Sequence, residues 1–418
     1  MTGREATGPR LLVYSQDGLG LGHLRRTTLL VSEFLTALPN ASALTISDSP
    51  LGQFFSSADG HDYLKLPSIH KAAPGHWNAV SLVLPVSDVF AMRREIIRSV
   101  ALTYRPDVVL VDHMPHGAMG ELVPTLEALA RLPVRVVLGL RDILDAPEVV
   151  RDRWELEGAF DAVEQHYDEV LVYGSQDVFD VAAQYSWPAT ISKRLRYCGY
   201  VTAADSSNSS GALRTRYLRR RPNSDLIVAI AGGGADGYRL FDTLLDAVPG
   251  LMSQRPCSIV IVTGPLMPAP EGLDLMRRAR GLPVHVLRSV SDTRRYLRAA
   301  DLVVAMAGYN TSVESLGAAR RALLVPRPGP SAEQQMRARL FAERGWVGWL
   351  PPAQLSPETL QQAIVKALAM PATSPAAVPD LNGRIEAVRY LNAAVEQRSS
   401  LPTPDLVPAL VGPHLIES

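Results

Sequence analysis

Several things are scarce in this sequence, and each scarcity excludes something. Only two cysteines, Cys198 and Cys257, occur in 418 residues. They stand too far apart for a metal-ligand motif or a disulfide framework, which suits a reducing compartment. Lysine is almost missing: Lys65, Lys71, Lys193 and Lys366 are the whole set, and arginine supplies the remaining positive charge, as a GC-rich genome would dictate. Net charge is absent, with 42 basic against 42 acidic residues, so no global field selects nucleic acid as a partner. No apolar run approaches the ~18 residues of a membrane-spanning helix. The first residues, Met1-Thr2-Gly3-Arg4-Glu5, lead to a strand by Leu11 without the apolar segment of a signal peptide. A cytoplasmic protein is expected.

Apolar residues make up 47% of the chain, enough for a core in each of two domains, and the length exceeds what one core usually supports. Short β-branched runs alternate with longer amphipathic stretches, the pattern of βα units feeding a parallel sheet. In the first half the strands are predicted at Leu11–Ser15, Ala43–Ser47, Val108–Asp112, Val134–Leu138 and Glu169–Tyr173, with a helix near Leu24–Leu38. The small polar stretch Ala203–Ala212 reads as a linker. The pattern then restarts with strands at Leu226–Ala231, Ile259–Thr263, Val284–Leu287, Leu302–Ala305 and Ala322–Pro326. The expectation is an α/β protein of two Rossmann-like domains with parallel sheets facing a cleft. Residues 1–202 form the first domain, 203–223 a linker, 224–380 the second domain, 381–398 a terminal helix and 399–418 a tail.

The segment with most chemistry is Asp301–Pro326, DLVVAMAGYNTSVESLGAARRALLVP. A buried strand ends near Met306, Gly308 allows a tight turn, and Asn310, Thr311 and Ser312 offer N-cap chemistry to a helix. A helix start presents unsatisfied N–H groups and a positive dipole end, which together bind phosphate. Glu314 would repel a phosphate in contact, so it is expected to turn aside and accept hydrogen bonds from a neutral diol such as ribose. The bland alternative is a capped βα junction. Downstream, Glu333-Gln334-Gln335 stand at a loop-to-helix edge, where amide side chains can both donate and accept with sugar hydroxyls. Ala231–Tyr238 (AGGGADGY) puts Gly232, Gly233 and Gly234 directly after a strand. They permit close approach of backbone to a diphosphate, or make a plain tight turn. The dinucleotide fingerprint is not met.

In the first half, Asp17–Arg26 reads DGLGLGHLRR. Gly18, Gly20 and Gly22 thin the loop after the first strand, and His23 opens the helix at the sheet edge where open α/β folds bind ligands. Its ordinary pKa near ~6.5 suits a general base. Asp112-His113-Met114-Pro115-His116-Gly117 follows another strand of the same sheet. Asp112 could orient the His23 imidazole, while His113 or His116 could contact substrate or compete as base. Arg141-Asp142 ends a third strand, where Arg141 would bind an anion or form a local ion pair. Val89–Leu102 has arginines beside apolar positions at helical spacing, which fits a helix covering a core or one resting on anionic lipid.

At these residues the sequence resembles the GT-B glycosyltransferases of the family 28, MurG-like type, and within that type a bacterial group of predicted glycosyltransferases. The residues that carry the resemblance are Gly22-His23, Gly232-Gly233-Gly234, Gly308 to Glu314, and Gln334-Gln335. The resemblance implies that the backbone near Val290 contacts the base, uridine by the same token. Asn310, Thr311 and Ser312, beside Gly308 and Tyr309, would face the phosphates, Glu314 the ribose and Gln334 or Gln335 the hexose. Gly383–Gln397 resembles the helix that crosses back to the first domain. Ala307 departs from the family pattern, which has serine there, and so does the arginine pair Arg25-Arg26 after the first loop.

The function implied is inverting transfer of a hexose, or N-acetylhexosamine, from a nucleotide-diphosphate sugar to a hydroxyl of an unidentified acceptor. The acceptor could be lipid-linked, and no metal or other cofactor is required. His23 would be the base with Asp112 its partner; Gly20, Gly22, His113, His116 and Arg141 would line the acceptor side of the cleft. A nucleotide-sugar epimerase of the same fold, or a donor-binding protein without transfer activity, are the alternatives.

Overall fold

The computed structural model describes residues 8–16, 22–50, 58–73, 76–203 and 210–399. The first domain holds β1 (Arg10–Ser15), β2 (Ser42–Ser47), β3 (His61–Lys65), β4 (Ile69–Ala73), β5 (His76–Ala79), β6 (Val108–Asp112), β7 (Arg135–Arg141), β8 (Glu169–Tyr173) and β9 (Leu195–Tyr197). Seven of these make one parallel sheet in the order β3-β2-β1-β6-β7-β8-β9, and β4 and β5 form a separate antiparallel hairpin. The second domain holds β10 (Asp225–Ile230), β11 (Cys257–Val262), β12 (Val284–Leu287), β13 (Leu302–Ala305), β14 (Ala322–Leu324) and β15 (Gly348–Trp349). They form a second parallel sheet in the order β12-β11-β10-β13-β14-β15.

The central strands are apolar throughout because helices cover both faces of each sheet. In β1, Leu11 and Val13 pack with Leu30, Val31 and Phe34 of the helix Gly22–Ala37. Alternate residues Leu12 and Tyr14 pack on the other face with Ile97 and Ala101 of the helix Val86–Tyr104, as the two-residue period of a strand requires. Each such full burial of a large aliphatic side chain is worth about 1.5–3 kcal/mol. The helix Val86–Tyr104 therefore covers a core. Arg93, one of its interspersed arginines, is itself fully buried and donates to both Glu121 oxygens and to the Pro67 carbonyl. Among the described residues no helix is long and apolar enough to cross a membrane.

Both sheets change winding direction once. In the first the change falls between β1 and β6, where Ser15 lies opposite Asp112. In the second it falls between β10 and β13, where Ile230 lies opposite Ala305. Ligands of open parallel sheets bind at the carboxyl ends of the strands beside such a switch. The helix Gly383–Ser399 then crosses back to the first domain. There Ala387, Val388 and Leu391 enter the core, Arg384 pairs with Glu33 at 3.0 Å, and Arg398 donates to the Pro133 carbonyl.

Candidate active site

The first-domain half of the site is built on β1 and β6. His23 stands in the first turn of the helix after β1, and its Nδ1 lies 2.5 Å from Asp112 Oδ2 at the end of β6. A carboxylate at Nδ1 fixes a proton there and leaves the lone pair on Nε2. One turn along, Arg26 is 2% exposed and donates to both Asp112 oxygens, at 2.8 and 2.7 Å. Its guanidinium also rests on two rings, Tyr173 at 5.1 Å and Tyr309 at 5.3 Å. Burial alone would raise the Asp112 pKa, but Arg26, seconded by His23, holds it far below the usual carboxylate range. Asp112 therefore stays ionised and orients His23 without taking its proton.

His113 follows with a left-handed backbone, φ 80°, and its ring centroid lies 5.1 Å from that of His23. Burial and the neighbouring Arg141 push its pKa well down, so this imidazole remains neutral.

The second-domain half is a helix start, Tyr309–Ala318, capped by Gly308 with no side-chain cap bond. The expected cap at Asn310–Ser312 is corrected to Gly308, two residues before Asn310: Ser312 N–H already donates to the Gly308 carbonyl at 2.9 Å. The amides of Tyr309, Asn310 and Thr311 precede that first intrahelical bond, and N–H groups in that position are those a helix start can offer to an anion. Ser312 Oγ is buried without a partner. Gly308 does not make the tight turn that its residue type suggests, since its φ is −61°. A Cβ there would meet nothing nearer than Gln334 Nε2 at 3.9 Å. Its lack of a side chain keeps open the space before the helix rather than satisfying the backbone.

The glycine loop after β10 joins this start: a Cβ on Gly232 would lie 3.3 Å from Thr311 Oγ1. Gly234, at φ 97°, presses so closely on the Thr263 carbonyl that no other residue fits. Val290 lies in the loop after β12, half-buried against the core.

The two halves touch. Asn310 Nδ2 donates to the Gly22 carbonyl at 2.9 Å. Tyr309 OH donates to the Tyr173 carbonyl at 2.8 Å and accepts from Val201 N–H at 3.0 Å. Below them lies a buried ion cluster that composition and motif reading missed. Arg337, 0% exposed, pairs with Asp142 at 2.7 Å and donates to the Ala307 carbonyl at 2.9 Å. Ala307 is thus a buried residue whose backbone, rather than a hydroxyl, is held.

The remaining expected residues each have protein partners. Arg141 reaches across to Glu333 at 2.9 Å and is engaged by protein rather than held ready for an acceptor. Glu314 is 4% exposed and pairs with Arg25 of the first domain at 2.7 Å. It also borders a cavity of about 210 Å³ with Arg294 and Arg298. Burial raises its pKa, opposed by Arg25 and then Arg294. Gln334 accepts from Arg327 N–H at 3.2 Å with its side chain beside Gly308, whereas Gln335 donates to the Pro328 carbonyl. His116 Nδ1 donates to the Gly117 carbonyl at 2.8 Å. Gly18 and Gly20 lie outside the described residues. Among those described, no three His, Cys, Asp or Glu side chains gather at metal-binding spacing.

Against known proteins, residues 227–385 match the glycosyltransferase family 28 C-terminal domain. That match takes in most of the second domain and less than half of the chain. Curated relatives of the chain include the UDP-N-acetylglucosamine–N-acetylmuramyl-(pentapeptide) pyrophosphoryl-undecaprenol N-acetylglucosamine transferase of Rubrobacter xylanophilus. That protein is 29% identical over 159 residues, which take in 38% of this chain and 44% of the relative. The chain thus spans less than half the length of that relative. The second domain and the domain before it together share the GT-B fold of solved structures. Acinetobacter baumannii MurG superposes with TM-score 0.57 at 15% identity, covering 94% of this chain and 100% of that one. A Listeria monocytogenes protein provisionally named a UDP-N-acetylglucosamine 2-epimerase gives TM-score 0.57 at 14% identity, covering 94% and 96%. Such likenesses speak to fold, and the chemistry rests on the side chains.

Proposed function

We propose that the protein is an inverting glycosyltransferase that moves a hexose from a UDP-linked sugar to a hydroxyl of an acceptor. One observation carries this reading. The His23–Asp112 pair and the open helix start at Tyr309 are in direct contact, through the bond from Asn310 to the Gly22 carbonyl. A base and a diphosphate cradle in contact can act on the two ends of a single displacement.

In that displacement the acceptor oxygen bonds to the anomeric carbon as the bond from that carbon to the diphosphate oxygen breaks. Attack comes from the face opposite the leaving group, which inverts the configuration. The acceptor proton goes to His23 Nε2, and the imidazolium that forms is stabilised by Asp112. The Tyr309, Asn310 and Thr311 amides stabilise the charge developing on the departing nucleoside diphosphate, a preorganised electrostatic contribution. Glu314 holds the ribose diol through its carboxylate, which Arg25 orients. Gln334, beside Gly308, addresses the hexose.

The epimerase alternative needs carboxylates free near the sugar. Glu333, the carboxylate next to Gln334, is engaged by Arg141 and Arg337, which weighs against it.

The test is UDP release from a panel of UDP-sugars with and without acceptor alcohols. His23→Ala is expected to lower turnover by roughly 10²–10⁴-fold with UDP affinity nearly unchanged. Unaltered turnover removes His23 from the mechanism, and a new sugar isomer formed from donor alone replaces transfer with epimerisation.

A further inference from the structure

The loop that begins at Asp112 does more than carry His113. His113 has a left-handed backbone, and the next residue, Met114, lines a cavity of about 380 Å³. That is the scale of a small-molecule site. The cavity thus adjoins, through the next residue in the chain, His113, whose imidazole packs on His23. Only first-domain residues line it.

One part of its wall is apolar: Trp77, Met114, Met119 and Val123. The rest is polar and incompletely bonded. His116 Nε2 and His166 Nδ1 are both buried without a hydrogen-bond partner; His116 Nε2 stands 3.8 Å from Glu157, too far for a bond. Buried polar atoms left without partners cost stability unless something fills the role. Charge decides what that something is. Two exposed carboxylates, Glu157 and Asp161, line the cavity with a single ammonium, Lys71, which already lies over the Trp77 ring at 5.8 Å. Two carboxylates against one ammonium repel an anion and attract hydroxyls and amines.

We infer that this cavity takes the acceptor, and that the acceptor is a compact hydroxylated ring compound, uncharged or amino-bearing, without a phosphate. The inference rests on the transferase reading of the neighbouring His23 site. It sets this chain apart from the relatives whose names specify a pyrophosphoryl-undecaprenol acceptor. The ring would lie on Trp77 and the two methionines. The two imidazole nitrogens would bond its hydroxyls, and Glu157 with Asp161 its amine.

The test is calorimetric binding to the full chain with the donor site saturated by UDP. The probes are phenyl β-D-glucopyranoside, 4-(aminomethyl)phenyl β-D-glucopyranoside and geranyl diphosphate. Both glycosides are expected to bind, the amine more tightly, and Glu157→Gln with Asp161→Asn should weaken the amine by about tenfold or more. UDP affinity should not change in that variant, whose substituted residues are exposed. Binding of geranyl diphosphate that Lys71→Ala removes would overturn the inference, as would no glycoside binding at about 10 mM. If the glycosides bind but UDP does not, the donor reading fails and the cavity assignment stands.

Discussion

Two helix starts face one another in the cleft, and they are built on opposite principles. The one at Tyr309 is made of backbone: no side chain caps it, and Gly308 leaves the space before it clear. The one at Gly22 is made of side chains, with His23, Arg26 and Asp112 locked together and backed by Tyr173 and Tyr309. Under the proposed function the diphosphate is common to every UDP-sugar, so main-chain amides would suffice to hold it. A base must be aimed and kept in one protonation state, which takes buried ions. Substitutions on the base side should therefore cost both stability and chemistry, and those on the donor side chemistry alone.

The largest effect is expected from Asp112→Asn. It removes the anion that orients His23 and leaves Arg26 buried without its counterion. Turnover per folded molecule should fall by roughly 10²–10⁴-fold. Stability should fall by about 3–5 kcal/mol, as for other broken buried pairs. Urea unfolding measured together with UDP release separates the two losses, and an unchanged unfolding midpoint would show that Arg26 does not depend on Asp112.

Arg337→Met should match that stability loss, about 3–5 kcal/mol, because Asp142 and Glu333 would remain buried without the arginine. The same cluster sets an acid limit. Burial works to raise the Glu333 pKa, yet Arg141 and Arg337 hold it below the ordinary value. Its contribution is complete above pH ~4.3 and is lost as pH falls through the lowered value. Thermal melts from pH 7 to pH 3 should show this decline in the wild type and a weaker one in Arg337→Met.

That contrast also marks what the sequence made legible. The backbone half could be read, because a glycine at the end of a buried strand, small polar residues after it and a glutamate one turn later announce a phosphate-binding helix start locally. Even there the start lies earlier than expected, since Gly308 rather than Asn310 caps it. His23 was visible for the same reason, as a histidine opening a helix after a glycine-rich loop. In the side-chain half the pairing of His23 with Asp112 was legible too, and the buried arginines were not. Arg26 meets Asp112 across 86 positions and Arg337 meets Asp142 across 195. Arg337 stands in a helix whose other arginines read as a solvated face. Tyr309 looked like an ordinary residue within the motif, although its hydroxyl ties the helix start to the first domain. An arginine pair after a Gly-His loop, opposed by strand-end aspartates, was the one available signal. The short strands β3, β9 and β15 and the β4–β5 hairpin escaped because they are half-exposed or too short to show a period.

On the donor side, Gly308→Ala should leave stability within about 1 kcal/mol, because alanine is only somewhat poorer than glycine as a cap and its methyl clears Gln334. The methyl would instead stand where the diphosphate must approach, and UDP affinity should fall by about tenfold or more. Equal UDP affinity in this variant would move the diphosphate away from the helix start.

The smallest effect is expected where the two halves meet, at Arg25 and Glu314. Arg25 is 34% exposed but Glu314 only 4%, so Arg25→Ala should lower the melting temperature at neutral pH, though less than Asp112→Asn does, because Arg294 still opposes the burial of the carboxylate. What also changes is the titration of Glu314. Burial already raises its pKa and Arg25 is the leading opposing influence; without Arg25 the carboxyl should shift further up. A carboxyl raised in the folded state destabilises it when ionised, so the variant should gain stability as pH falls through that raised value. Over the same interval a protonated Glu314 accepts fewer hydrogen bonds from a ribose diol. UDP affinity should therefore weaken as pH is lowered, and at a higher pH than in the wild type. Calorimetric titration of UDP between pH 8 and pH 5 reads this directly, and parallel profiles for the two proteins would dissociate Glu314 from the ribose.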